Sequence, residues 1–157
     1  MIAMEEPARI TGPRETVTAV LSAAFSVGVV VIIAALLRLS DRDVRFCRGV
    51  LHDLVMGRQS VQSRIDWERV TAMGVDIGAT YAQLPNDGER AQYRRAFIRN
   101  FADGFRKSGG RLDGFTHWMV APDGTVSADY PAKGKTLVFH LSAGGHRQLE
   151  GIGWRSP

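Results

Sequence analysis

Cysteine and lysine are both scarce in this chain. Cys47 is the only cysteine among 157 residues, so no intrachain disulfide can form. This composition fits a reducing compartment without proving one. Only three of the 20 basic residues are lysine, at positions 107, 133 and 135. A preference for arginine can indicate phosphate or carboxylate recognition, but the base composition of the genome is the simpler explanation.

Catalytic and metal-binding motifs are also missing. The four histidines show no H-x-x-x-H spacing, the single cysteine excludes a C-x-x-C pair, and no serine lies in a G-x-S-x-G turn. The sequence GVDIGA lies inside a helical pattern instead of following a strand, so it does not predict a phosphate-binding loop. We therefore expect no catalytic residue, no metal site, no cofactor and no enzymatic activity.

Charged residues are absent from one long stretch, residues 17–37, with the sequence VTAVLSAAFSVGVVVIIAALL. A helix needs about 20 apolar residues to cross a bilayer, and this stretch predicts a transmembrane helix. A cleaved signal peptide has a shorter apolar core and a small-residue cleavage site, which is absent here. Buried helices of soluble proteins are usually shorter and more polar.

The predicted span divides the chain into four parts. Residues 1–16 form a disordered tail, 17–37 the membrane helix, 38–60 a juxtamembrane helix and linker, and 61–157 a small α+β soluble domain. Small residues at four-residue spacing on the span would let another helix approach closely in lipid, which favours a protein partner or a second copy of the chain. These residues are Ser22, Ala24, Ser26 and Gly28.

Just after the span, Ser40 and Asp43 resemble a capping box, and apolar residues then recur at three-to-four spacing through Leu54. This pattern predicts a helix that ends near Gly57. The opposite side of the helix carries arginines, which could contact anionic lipid headgroups or form an ordinary solvated face. They are Arg38, Arg42, Arg45 and Arg48.

Two further helices are predicted next, joined as an αα-hairpin. The first begins at Ser63 and continues to Leu84, with a stripe of small residues that either packs internally or binds a partner: Gly74, Gly78 and Ala82. The second extends from residues 86–87 to Ser108, and its aromatic stripe predicts a core-facing side: Tyr93, Phe97, Phe101 and Phe105. This helix is basic, but its aromatics are not interleaved with the exposed arginines, so the pattern does not favour nucleic acid as a partner.

The period changes to that of strands after Gly110. Four segments separated by turn signals predict an antiparallel meander. Their bounds are Phe115 to Val120, Thr125 to Tyr130, Lys135 to Ser142 and His146 to Trp154. The expected fold is therefore α+β: one N-terminal transmembrane helix, then two or three helices packed on a four-stranded antiparallel sheet.

This layout predicts a non-enzymatic, single-pass membrane-anchored module for interaction or assembly. One alternative is an external pilus or secretion-apparatus subunit, because the layout resembles that of pseudopilins; their Gly-to-Glu processing pattern is absent, since Glu15 is three residues after Gly12. A second alternative is a ligand-binding or enzymatic domain with a pocket between helices and sheet. More arginines follow the span than precede it, which predicts a cytoplasmic domain.

Overall fold

The computed structural model describes residues 38, 40–144 and 146–155, which have α+β architecture. Helix α1 covers residues 40–55, α2 covers Ile77–Ala82, and α3 covers Asp87–Lys107. Three short 3-10 helices lie at Gln59–Arg64, Leu112–Gly114 and Pro131–Lys133. No helix within the described residues is long and apolar enough to cross a bilayer. The predicted tail, the predicted span and its small residues Ser22, Ala24, Ser26 and Gly28 lie outside the described residues.

The sheet contains six strands and is mixed, so the prediction of a four-stranded antiparallel sheet is wrong. Its strands, in chain order, are β1 Thr71–Ala72, β2 Val75–Asp76, β3 Thr116–Val120, β4 Val126–Tyr130, β5 Lys135–Leu141 and β6 Leu149–Arg155. Their spatial order is β2-β1-β6-β5-β4-β3. The last four strands form the expected antiparallel meander. However, β1 joins β6 in parallel, with Thr71 opposite Gly151, and β2 extends the sheet by one more antiparallel strand.

The predicted helix from Ser63 to Leu84 is wrong for most of its length. Met73 and Gly74 have φ values of 52° and 83°, and they form the turn between β1 and β2. The Met73 N–H donates to the Ile152 carbonyl at 2.8 Å. The backbone of this region is therefore bonded to the sheet, and α2 is the one α-helix between Ser63 and Leu84. Three-to-four spacing of apolar residues arises here from a hairpin followed by a short helix.

Gly74, Gly78 and Ala82 consequently do not share one face of a helix. Gly74 lies exposed in the β1–β2 turn, Gly78 is buried in the first turn of α2, and Ala82 is exposed at the end of α2. The proposed packing of two long helices through these residues has no counterpart in the fold. A role for them in binding a partner is still a prediction.

Helix α1 ends close to the predicted Gly57, and its apolar side is buried. Its side chains Cys47, Val50, Leu51 and Leu54 are buried, and they join Phe139 of β5 in one core. Ser40 itself has helical conformation, so it is not the non-helical N-cap that a capping box requires.

Helix α3 has the predicted position. The Asn86 side chain caps it by accepting from the Glu89 N–H at 2.9 Å, and Gly109 follows it with a φ of 68°. Ile98 and Ala102 are its buried residues. The aromatic stripe is only half-buried against the core, so the prediction of a core-facing stripe holds for one side of these rings.

A buried ion pair ties α1 to the turn between β5 and β6. Asp43 is 5% exposed, and its Oδ1 lies 3.1 Å from Arg147 Nε. The N–H is not aimed at this oxygen, which accepts no hydrogen bond from any described residue. Attraction to the Arg147 charge is therefore the main compensation for burying the Asp43 carboxylate. Burial raises the pKa of the adjacent Cys47 thiol to about 12; the Asp43 charge adds to the rise and Arg147 opposes it.

Candidate functional site

An open apolar groove lies between α3 and the β1–β2 hairpin, and we call it the α3 groove. It consists of two adjoining hollows of about 350 and 340 Å³ that share Met73, Asn100 and Phe101. The walls are formed by the α3 aromatics, by the hairpin and by β6 at one end: Tyr93, Phe97, Phe101, Phe105, Met73, Val75, Ile77 and Trp154. From Tyr93 to Ser108, α3 advances about 22 Å, so the groove is elongated.

The groove exposes large apolar side chains to solvent. Val75 is 58% exposed and Met73 is 42% exposed, and both stand on the hairpin wall. Phe101 is half-buried on the facing wall. Continuous exposed apolar surface of this kind is uncommon on soluble domains and usually marks a place where another molecule binds.

Gly104 leaves one position on the helical wall of the groove without a side chain. It lies within α3, and a Cβ atom added there would meet no heavy atom within 4 Å. A glycine inside a helix costs about 1 kcal/mol relative to alanine. The fold therefore accepts a less stable helix at a position where a side chain would enter the groove without a clash.

One end of the groove is basic. The Lys133 ammonium donates to the Ser108 carbonyl at 2.7 Å, and Ser108 lines the groove beside Trp154. Lys107 precedes Ser108, and both lysines are exposed. Neither lysine forms an ion pair with another residue in the described ranges, whereas nearby Arg106 pairs with Asp103. This end of the groove therefore has two uncompensated positive charges.

Three members of the predicted arginine row lie on the exposed side of α1: Arg42, Arg45 and Arg48. Arg38, the fourth member, precedes α1 and is also exposed. Arg45 forms an exposed ion pair with Asp41 at 3.1 Å, one turn away, and Arg48 lies 5.1 Å above the Trp118 ring. Contact of the row with anionic lipid is still a prediction.

A histidine–carboxylate pair lies on the edge strand β3, but it does not form a catalytic triad. His117, at a bulge with a φ of 47°, places Nδ1 3.6 Å from Asp129 Oδ2. The Thr116 hydroxyl approaches the same Nδ1 at 3.3 Å. A triad needs the nucleophile and the carboxylate on different ring nitrogens. The His117 imidazole therefore cannot accept the Thr116 hydroxyl proton on one ring nitrogen while Asp129 holds the other ring nitrogen.

A shallow depression of about 310 Å³ lies elsewhere on the sheet, lined by residues that include Asp123, Thr125 and His140. The Thr125 N–H donates to Asp123 at 2.9 Å and lowers the pKa of this carboxyl group. This contact is an ordinary turn bond. Within residues 38, 40–144 and 146–155, no three histidine, cysteine or acidic side chains are grouped to hold a metal ion.

Comparison with known proteins adds no family: no family model, no curated protein and no solved structure matches this chain.

Sequence reasoning missed the α3 groove because it placed Met73 and Val75 on a helix. Their exposure depends on the hairpin, and no local pattern indicated it. The aromatic stripe of α3 was the one available signal, and the prediction assigned it wholly to the core.

Proposed function

We propose that this protein is a membrane-anchored interaction module that binds an apolar segment of a partner protein in the α3 groove. The exposed lining of the groove is the observation that carries the proposal. Methionine and aromatic side chains are enriched where proteins bind one another. An elongated apolar groove beside a helix suits a segment that inserts side chains at regular intervals.

The charges at the groove end define the partner more closely. Lys107 and Lys133 have no acidic counterpart among the described residues. A partner segment with apolar side chains followed by aspartate or glutamate would match both parts of the groove. Complementary charge of this kind fixes the direction in which a segment binds.

Photo-crosslinking from the groove tests the proposal. A photoreactive amino acid at Asn100, in the shared part of the groove, should crosslink in native membranes to a protein segment that contains apolar and acidic residues. Gly104→Gln should reduce this crosslink about tenfold or more, because the new side chain occupies the groove and a lost anchor contact typically costs over 1 kcal/mol. Mass spectrometry of the crosslinked peptide gives the measurement.

The matched control is Arg99→Gln, an exposed change on α3 outside the groove lining. It should leave the crosslink within about twofold, as expected for a contact that carries little energy. Reversing charge with Lys133→Glu should weaken the crosslink. A crosslink that survives Gly104→Gln, or one formed only with lipid, would contradict docking in the groove.

We also propose that residues 17–37 anchor the module in the membrane with its domain on the cytoplasmic side. The support is the apolar run and the excess of arginines after it, which by the positive-inside tendency stay in the cytoplasm. The external alternative would make the protein a pilus- or secretion-type subunit.

Cysteine labelling distinguishes the two orientations. Because Cys47 is fully buried with a raised pKa, a cysteine introduced at exposed Gln92 would be the reactive thiol. In intact cells, Gln92→Cys should not react with a membrane-impermeant maleimide, whereas Ala3→Cys in the tail should react. Labelling of Gln92→Cys before permeabilisation would place the domain outside and favour the external alternative.

A further inference from the structure

A second cleft lies between α1 and the sheet and shares no lining residue with the α3 groove. It has a volume of about 480 Å³, within the range of small-molecule sites. Arg48 and His52 of α1 form one wall, and Leu112, Phe115 and Trp118 form the other. The cleft thus combines basic side chains with an apolar, aromatic surface.

Arg48 is held in place by aromatic stacking. Its guanidinium lies 5.1 Å above the Trp118 ring, and Trp118 itself stacks on fully buried Phe139 with ring centroids 5.7 Å apart. A cation–π contact occupies no N–H donor in an ion pair, so the donors of the guanidinium stay available for an anion. Arg48 forms no ion pair with any residue in the described part of the chain, so these donors have no carboxylate partner there.

More positive charge surrounds the same part of α1. The Asp53 carboxylate lies 3.4 Å from each of three basic groups: His52 Nδ1, Arg58 Nη1 and Arg64 Nη1. Arg64 approaches the cleft wall at Gly49, where a Cβ would lie 3.1 Å from its Nη1. One carboxylate is thus shared by two arginines, and Arg48 has none, so the region carries excess positive charge.

We propose that the cleft binds the phosphate group of an anionic amphiphile. The phosphate would accept two hydrogen bonds from the edge of the Arg48 guanidinium, in the bidentate geometry that arginine favours. It would accept a further hydrogen bond from the His52 side chain. The apolar part of the ligand would lie against Leu112, Phe115 and Trp118. An anionic phospholipid meets this description and would be the source nearest to a membrane-anchored chain; a soluble phosphate ester offers the same chemistry.

The test uses the full chain reconstituted in phosphatidylcholine vesicles that contain phosphatidylglycerol with brominated acyl chains. Bromine quenches tryptophan fluorescence on contact, so a bound lipid should quench Trp118, and Trp118→Phe should abolish that quenching. Arg48→Ala should raise the phosphatidylglycerol fraction needed for half-quenching about tenfold, as expected when a bidentate charged contact is lost. Arg48→Lys should have an intermediate effect, because it keeps the charge and loses the fork.

The control is Arg95→Ala, an exposed arginine of α3 that neither lines the cleft nor belongs to the predicted lipid-contacting row; it should change half-quenching less than about twofold. A parallel titration adds inorganic phosphate to protein in pure phosphatidylcholine. An Arg48-dependent fluorescence change there supports the phosphate site with a soluble source. Equal quenching by brominated phosphatidylcholine, quenching that persists in Trp118→Phe, or equal effects of Arg95→Ala and Arg48→Ala would overturn the proposal.

Discussion

Arg147→Ala should lower the free energy of unfolding by about 3 kcal/mol, because it leaves the buried Asp43 carboxylate without its counter-charge. Asp43 is 5% exposed, and its Oδ1 has no hydrogen-bond donor among the described residues, so water cannot easily replace the guanidinium. The loss of the Arg147 hydrogen bond to the Ser142 carbonyl adds to the effect. Urea unfolding of the full chain in neutral detergent, followed by tryptophan fluorescence, measures the change.

Two companion variants separate charge from packing. Asp43→Asn alone should cost less than Arg147→Ala, since the Arg147 side chain is 31% exposed and can be solvated. The double variant Asp43→Asn/Arg147→Ala should recover most of the stability lost by Arg147→Ala, because no buried charge is left unpaired. If the double variant were less stable than Arg147→Ala, the pair would matter through shape and not through charge.

Gly78→Ala should destabilise the fold by about 3 kcal/mol, at the upper end for overpacking. A Cβ at this position would lie 2.4 Å from the Glu68 carbonyl oxygen and 2.7 Å from its carbon. These are backbone atoms, and the Gly78 N–H is already bonded to the Val70 carbonyl at 3.0 Å, so neither side can rotate away. The same urea titration measures the effect.

Gly104→Ala is the matched control, because its Cβ would meet no neighbour and alanine is the better helix former. It should stabilise the protein by about 1 kcal/mol or less. Equal effects of the two substitutions would mean that the close approach of α2 to the Glu68 turn is not rigid.

The parts of the fold predicted correctly are those whose information is local. Helix α3 has an Asn86 cap, a glycine stop and an apolar stripe within one segment. Strand β4 and most of β5 alternate between apolar and polar residues, and the turns of the meander carry Pro, Asp and Gly. Each of these elements forms contacts with its neighbour in sequence, so the pattern and the structure agree.

The region from Ser63 to α2 was predicted wrongly because its structure depends on distant partners. Ile65 bridges Leu149, and the Asp66 N–H donates to the Leu149 carbonyl at 3.0 Å. Strand β1 has only two residues and exists through its parallel pairing with β6. No local pattern specifies a bond to residue 149, so spacing alone favoured a helix.

For the candidate sites, sequence reasoning identified the charges but not the cavities. The α1 arginines were placed correctly on an exposed side, yet the stacking of Arg48 on Trp118 depends on the packing of α1 against β3. The α3 groove likewise depends on the turn at Gly74, which sets Met73 and Val75 opposite the aromatic stripe. Both cavities arise between elements that are distant in sequence.

The parallel pairing of β1 with β6 also affects how the protein is made. During synthesis, the segment around Thr71 leaves the ribosome long before the chain reaches Gly151, its partner in the sheet. Until then the apolar face of α1 and the β1–β2 hairpin lack the strands that cover or align them. Such long-range closure slows folding and leaves apolar surface exposed to aggregation. The nascent domain should therefore depend on chaperones until β6 has emerged, and ribosome-bound chains truncated before residue 149 should be protease-sensitive throughout.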